Sequence, residues 1–550
     1  MKSIRRAVPF LSALMLFSVA GCSLGTHPGS GTERAGGQGA DQKLSVLTAP
    51  AKGPLDMVTW NVSEGEPQTI DPFLSADTTP NTMNSNMCEN LLSQTPQFTI
   101  KPNLARSVSN PDPTHWVYDL RSDVKFWDGH PMTAEDVAWS LNHNLTDQTT
   151  FYHYLYANVE DIKVTGPHQV TVHLKSPDYL FNDELASYAG VVVEKDFYTK
   201  HGAKVGTPAV GVMCTGPYEF QSWQQGQSII VTKNPNYWNK DLQPKVKKIE
   251  FTFITDGSSL IAALQSGQVD GAYDVPASGI QQLASSPIGK LTVGPSPYNL
   301  TYFFANPKGP MANVDMRRAL QSAVDWNGIA QNVFGGIGAP LKLTMPPSVY
   351  GFASKQLSAL ASTEPDVKKP DYAEAKALLA KVPAAVRDQT VTMVVPDESA
   401  IQQFGLAVKD AASRIGINFK LTVVPTTGYS NYLYDAKTRG NTDMLYTEFW
   451  PNIPNPLDWI GITAVTNGSF NQYGYGGQDS VYAKAVATKD PAARAELVAQ
   501  IANKLRSDLI PMAPGVQVYC DVWMNNRITG APAAYDYVYF PWAAMLGSSQ

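Results

Sequence analysis

Polar and apolar positions alternate along several short stretches of the chain. Val170, Val172 and Leu174 alternate with Thr171 and His173, the period of two expected of a strand buried on one face. Ile249, Phe251 and Phe253 repeat the pattern. Elsewhere the apolar spacing is helical. Leu260, Ile261 and Leu264 follow Ser258, a candidate cap, and precede Gly267, a candidate stop. Thr133 precedes Glu135 and Asp136, and acidic residues in a first turn favour the helix dipole. A strand over 391–395 leads into Ile401, Phe404, Val408, Ala411 and Ile415 at helical spacing, with Gly416 as the stop. A second strand then carries Phe419, Leu421 and Val423, so the segment predicts a βαβ unit with parallel strands. Asp490-Pro491 opens one more helix, with Val498, Ile501, Ala502, Leu505 and Leu509 on one face. The pattern predicts a mixed α/β protein with at least one parallel sheet and no internal repeat.

Length turns this into a multi-lobed expectation, because 550 residues exceed what one core organises. Charged residues make up 16%, below the roughly 25% of ordinary soluble domains, while aromatics reach 10%, which argues against disorder. A net charge of -6 gives no basic footprint, so no nucleic-acid partner is expected.

The N-terminus suggests an address. Lys2, Arg5 and Arg6 precede an apolar run over 7–20, too short to span a bilayer comfortably and closed by Val19-Ala20-Gly21-Cys22. This resembles a bacterial lipobox. Residues 1–21 then form a lipoprotein signal peptide, and Cys22 carries the lipid that holds the exported protein to the outer face of the cell membrane. Residues 22–54, rich in Gly, Ser, Thr, Ala and Pro, read as a flexible tether. Cys88, Cys214 and Cys520 remain, allowing one disulfide and one thiol, with the pairing open.

Catalytic signatures are missing: no GxSxG, HExxH, GxxxxGK[ST] or strand-borne GxGxxG occurs. All histidines lie between His27 and His201, and His143 and His153 sit in aromatic surroundings that suit packing. No catalytic residue, metal site or cofactor is expected, and the protein is not expected to be an enzyme.

Ordered blocks carry a resemblance. Glu66-Pro67-Gln68-Thr69-Ile70-Asp71-Pro72 is followed by Cys88-Glu89-Asn90-Leu91-Leu92 and Trp116-Val117-Tyr118-Asp119-Leu120-Arg121. Then come Val124-Lys125-Phe126-Trp127-Asp128-Gly129, Met132-Thr133-Ala134-Glu135-Asp136-Val137 and Thr215-Gly216-Pro217-Tyr218. Asn234-Pro235-Asn236-Tyr237-Trp238, Ala263-Leu264-Gln265-Ser266-Gly267-Gln268-Val269-Asp270 and Arg317-Arg318-Ala319-Leu320 complete the series. The chain resembles family 5 of the bacterial extracellular solute-binding proteins, the peptide and nickel receptors of ABC importers. The resemblance implies an α/β, two-lobed periplasmic-binding-protein clamshell (type II-like) with an extra domain inserted in the first lobe. Lobe I would comprise 55–92, 206–299 and 511–550, inserted domain II 93–205, and lobe III 300–510. It implies capture of an oligopeptide by hinge closure and delivery to permease and ATPase subunits. Haem, a metal chelate or a saccharide are alternative solutes, and a secreted hydrolase is an alternative from another class.

The family's amine-anchoring aspartate, aligned on Pro456, falls on Asn452, so an ammonium would face a neutral amide unless Asp458 or Glu448 substitutes. The other cleft positions implied by the resemblance are Thr78, Tyr154, Tyr273, Tyr298 and Trp450.

Overall fold

The structure, a computed structural model, describes residues 43–550 except 76, 367 and 368. The leader, Cys22 and most of the tether lie outside the described residues. A seven-stranded sheet holds, in spatial order, Tyr218–Gln224, Ser228–Lys233, Val246–Thr252, Leu55–Asn61, Gly271–Tyr273, Cys520–Asn525 and Gly289–Gly294. Leu55–Asn61 runs parallel to both its neighbours, so three strands end at the same edge. A six-stranded sheet holds Gly338–Pro340, Val516–Val518, Asn299–Phe304, Met444–Phe449, Val391–Pro396 and Phe419–Val424. Its last three strands are mutually parallel. The expected βαβ unit is here, with helix Ser399–Ile415 ending at Gly416 in the left-handed conformation (φ 90°).

The chain passes from the first sheet to the second between Gly294 and Asn299, and returns between Val518 and Cys520. This moves the second crossing away from Pro511, where the sequence reading put it. Met512 bridges Phe303 and Val516 pairs with Leu300, so 511–518 belongs with the six-stranded sheet. An apolar strand pattern records that one face is buried but not which sheet buries it.

A third, antiparallel sheet orders Ala105–Asp112, His115–Leu120, Gln169–Leu174 and Val159–Gly166. Helix Ala134–Thr146 covers it, opened by a capping box between Thr133 and Asp136 as its sequence suggests. The segment 88–214 that contains this sheet is closed by the Cys88–Cys214 disulfide, leaving Cys520 free and buried. Such a cross-link typically contributes about 2–4 kcal/mol. Gly216 lies beside it because a Cβ there would meet the Met87 carbonyl oxygen at 2.3 Å. One local expectation is corrected: helix Gly257–Ser266 is capped by Asp256, whose carboxylate accepts from the Ser259 amide, and Ser258 lies inside the first turn. Among the described residues no helix is long and apolar enough to cross a membrane.

Candidate ligand-binding site

Parallel strands collect polar chemistry at their C-terminal edges, where the chain leaves the sheet and side chains escape the core. Here two such edges confront each other across a cavity of about 350 Å³. From the seven-stranded sheet come Glu64, shortly after Leu55–Asn61, and Asp274, directly after Gly271–Tyr273. Asp521 enters from the neighbouring antiparallel strand Cys520–Asn525. The six-stranded sheet contributes Glu398, after Val391–Pro396, and Tyr446 and Glu448, on one face of Met444–Phe449. Tyr298 and Trp450 complete the wall near the crossing.

Asp274 holds a left-handed backbone (φ 50°), unusual for a residue with a Cβ and characteristic of places where function sets the geometry. Its amide donates to the Asp521 carbonyl (3.1 Å), while Asp521 Oδ1 accepts from the Val275 amide (3.0 Å). The Tyr537 hydroxyl donates to Asp274.

Their surroundings raise every one of these carboxyls, although Glu64, Glu398 and Glu448 still face solvent. Burial, then the charges of Asp274, Glu64 and Glu398, pushes Glu448 up to about 8. Burial, then Asp77 and Asp274, pushes Glu64 up to about 7, against hydrogen bonding at Thr79. Asp274 and Asp521 form a pair raised chiefly by burial, and Glu398 is raised by burial as well. Glu448 on one sheet and Asp274 and Glu64 on the other line the same cleft, close enough for their charges to interact.

The positions inferred from the resemblance separate into three groups. Thr78, Tyr298 and Trp450 line the main cavity. Tyr298 packs edge-on against Trp450 (5.3 Å) and Tyr535 (4.4 Å), and Thr78 Oγ1 lies 3.3 Å from the Tyr535 hydroxyl. Tyr154 and Asn452 line an adjoining space of about 150 Å³ that shares Glu448 and Trp450 with the first. Tyr273 and Asp458 line neither. Tyr273 is stacked on Tyr537 at 3.9 Å beside Trp60 and Trp542, with its hydroxyl donating to the Pro532 carbonyl. Asp458 is 2% exposed in the first turn of helix Pro456–Thr463, accepting from the Ile453 amide.

Asn452 is already engaged. Its Nδ2 donates to the Tyr154 hydroxyl at 2.7 Å and to Asp458 Oδ1 at 3.4 Å. An aspartate there would lose both donors and set a second negative charge against Asp458, itself raised by burial. The substitution that stood out in the sequence is therefore matched to its surroundings, and the carboxylates facing ligand space lie elsewhere. Glu64, Asp274, Glu398 and Asp521 were missed because periodicity marks them as strand-end or loop residues. The available signal was a charge inside or just after an otherwise apolar strand, as in Met-Leu-Tyr-Thr-Glu-Phe over 444–449.

Away from the cavity, Asp128, His130 and Glu194 bring their ligand atoms within 4.8 Å of one another, and the His130 ring pairs with both carboxylates at 2.8 and 2.9 Å.

Comparison with known proteins gives a consistent picture. The glutathione-binding protein GsiB of Salmonella typhimurium is 27% identical over 307 residues. That match covers 56% of this chain and 59% of the relative, so the chain spans less than two thirds of that protein. The probable D,D-dipeptide-binding periplasmic protein DdpA of Escherichia coli is 24% identical over 500 residues, covering 88% of this chain and 92% of the relative. The periplasmic binding protein DppA of Helicobacter pylori, solved with the peptide STSA, superposes with a TM-score of 0.75 at 17% identity, over 90% of this chain and 99% of that one. Such structural likeness establishes the two-lobed periplasmic-binding-protein fold. The model of the bacterial extracellular solute-binding proteins, family 5, matches residues 99–506, well over half of the chain, and the chain belongs to that family.

Proposed function

We propose that this protein is the substrate-binding subunit of an ABC importer, taking up a peptide between its lobes and presenting the closed form to a membrane permease. The observation that carries the reading is the cavity of about 350 Å³ whose walls come from the facing edges of two different sheets. A ligand touching both walls favours the state in which they are close, which is all that hinge closure requires. The peptide specificity draws on relatives named for glutathione and D,D-dipeptides. One jaw would comprise about 55–92, 206–298 and 519–550, the other about 299–518, with 93–205 as the inserted domain. Binding and release involve no covalent step. Export and a lipid anchor on Cys22 follow from the lipobox-like leader, and would keep the receptor beside its permease.

The test is thermal unfolding of a soluble form lacking residues 1–22, with and without a mixed peptide library. A ligand at 100 times its dissociation constant stabilises the folded state by about 2.7 kcal/mol, a resolvable rise in midpoint. Trp450→Ala should abolish that rise while leaving the unliganded stability within about 1 kcal/mol of the original, as expected for a side chain facing a cavity. A midpoint that no peptide moves, in protein stripped of carried-over ligand, would refute the peptide reading.

A further inference from the structure

The main cavity has an unbalanced lining. Glu64, Asp274, Glu398, Glu448 and Asp521 face it, and among the described residues no lysine, arginine or histidine lines either it or the adjoining space. The adjoining space adds one more acid, Asp77. Outside it some carboxylates are well partnered and others are not: Asp270 is held by Arg527, and Glu89 accepts from Thr215, Tyr237 and Trp238 at 2.8–2.9 Å, whereas Glu184 and Asp536 are buried without a hydrogen-bond partner. Carboxyls crowded into one cleft without cations hold their protons rather than ionise together, and an entering cation lets them ionise.

A second observation is independent of the charge count. Two groups at least nine-tenths buried turn polar atoms into this cavity without a partner. Asp521 is 3% exposed and uses only Oδ1, on the Val275 amide, leaving Oδ2 free. Tyr446 is 5% exposed and its hydroxyl makes no hydrogen bond, although its carbonyl accepts from Tyr429. Both atoms accept hydrogen bonds, and together with the Glu448 carboxylate they make an acceptor set suited to an ammonium or guanidinium donor. The aromatic faces beside them, Tyr298, Trp450 and Tyr519, suit the alkyl stem and the charge of such a group through cation–π attraction.

We propose that the ligand is a multiply charged organic cation: a short peptide bearing a lysine or arginine side chain besides its terminal ammonium. Its positive groups lie against Glu448, Asp521, Asp274 and Glu64, and its aliphatic stem against Tyr298 and Trp450. This rests on the reading of the cleft as a peptide site and adds a charge requirement to it. The peptide's own carboxylate finds no cation in either space, so it points towards the mouth. Asn452 is not the anchor, because its amide is spent on Tyr154 and Asp458.

The test is calorimetric titration of the lipid-free protein at pH 7 with four alanine tripeptides differing at the central residue (lysine, arginine, alanine or glutamate), and with the free diamine cadaverine. The lysine and arginine peptides should bind at least roughly tenfold more tightly than the alanine peptide, about 1.4 kcal/mol, and the glutamate peptide more weakly still. Glu448→Gln and Asp521→Asn, each keeping shape and an acceptor, should remove most of that preference. Equal affinity for all four peptides would overturn the charge requirement and leave the peptide reading intact. Cadaverine binding without any peptide binding would uphold the cationic site and overturn the peptide reading. Binding by none of the probes, or a basic preference unmoved by both variants, would overturn the proposal.

Discussion

The same strands carry carboxylates at both ends, and the two ends treat them in opposite ways. Asp270 precedes strand Gly271–Tyr273 and Asp274 follows it. Asp443 precedes Met444, and Glu448 lies near the far end of Met444–Phe449. At the starts everything is satisfied. Asp270 accepts from Arg527, from Asn525 Nδ2 (2.6 Å) and from the Thr59 amide (2.9 Å). Asp443 accepts from the Thr392 amide and hydroxyl (both 2.9 Å) and from Asn306 (3.1 Å). At the far ends Glu448 has no hydrogen-bonding partner, and Asp274 has only the Tyr537 hydroxyl and a strained backbone. Carboxylates at the strand starts stitch neighbouring strands together. Those at the other edge face the cavity and are poorly compensated.

Breaking the first kind should cost the most. Asp270→Ala leaves Arg527, Asn525 and the Thr59 amide without their acceptor, and should lower stability by about 3 kcal/mol in denaturant titration. Ligand affinity should be unchanged, and a selective loss of binding would collapse the distinction between the two edges. Asp443→Ala should cost about 2 kcal/mol, again without touching affinity. Asp458→Asn sharpens the contrast from a different side. It keeps the shape of a buried group that does not line the cavity, so stability should fall by about 1 kcal/mol while peptide affinity stays constant.

The smallest effect should have the opposite sign. Glu448 is raised to about 8, so at pH 5 it is protonated in the folded chain and only the start of the penalty has built up. As pH rises from the ordinary carboxylate value near about 4.3 towards 8, the unfolded chain ionises first and the folded state loses stability. Glu448→Gln removes that loss. The unliganded variant should therefore melt on the order of 1 °C above the original at pH 8 and by less at pH 5. A variant less stable at both pH values would mean that Glu448 has a stabilising partner, and the two edges would no longer differ in kind.

Much of the secondary structure was legible because burial repeats with the period of the element. Val170, Val172 and Leu174 alternate inward, Ser399–Ile415 buries Phe404 and Val408, and Gly416 stops the helix in a conformation glycine tolerates. The cap of Gly257–Ser266 was misassigned by two residues because Asp256 and Ser258 are both competent acceptors, and backbone geometry selects between them. Thr78, Tyr298 and Trp450 came from the resemblance and line the cavity, whereas Tyr273 came from the same source and is stacked into the core. An aromatic side chain next to a cleft and one beneath it have the same neighbours in sequence.

By itself the sequence determined the family, the alternation of strands and helices, and the conspicuous asparagine at 452. These depend on residue order and on periods of two and 3.6, which are local properties. Tertiary structure alone decided that Cys88 pairs with Cys214, that 511–518 joins the second sheet, and that Asn452 serves Tyr154 and Asp458. It also decided that five acids from separate strands share one cleft. Electrostatic interaction depends on distance through the fold and on the water excluded between charges, and neither quantity is written along the chain.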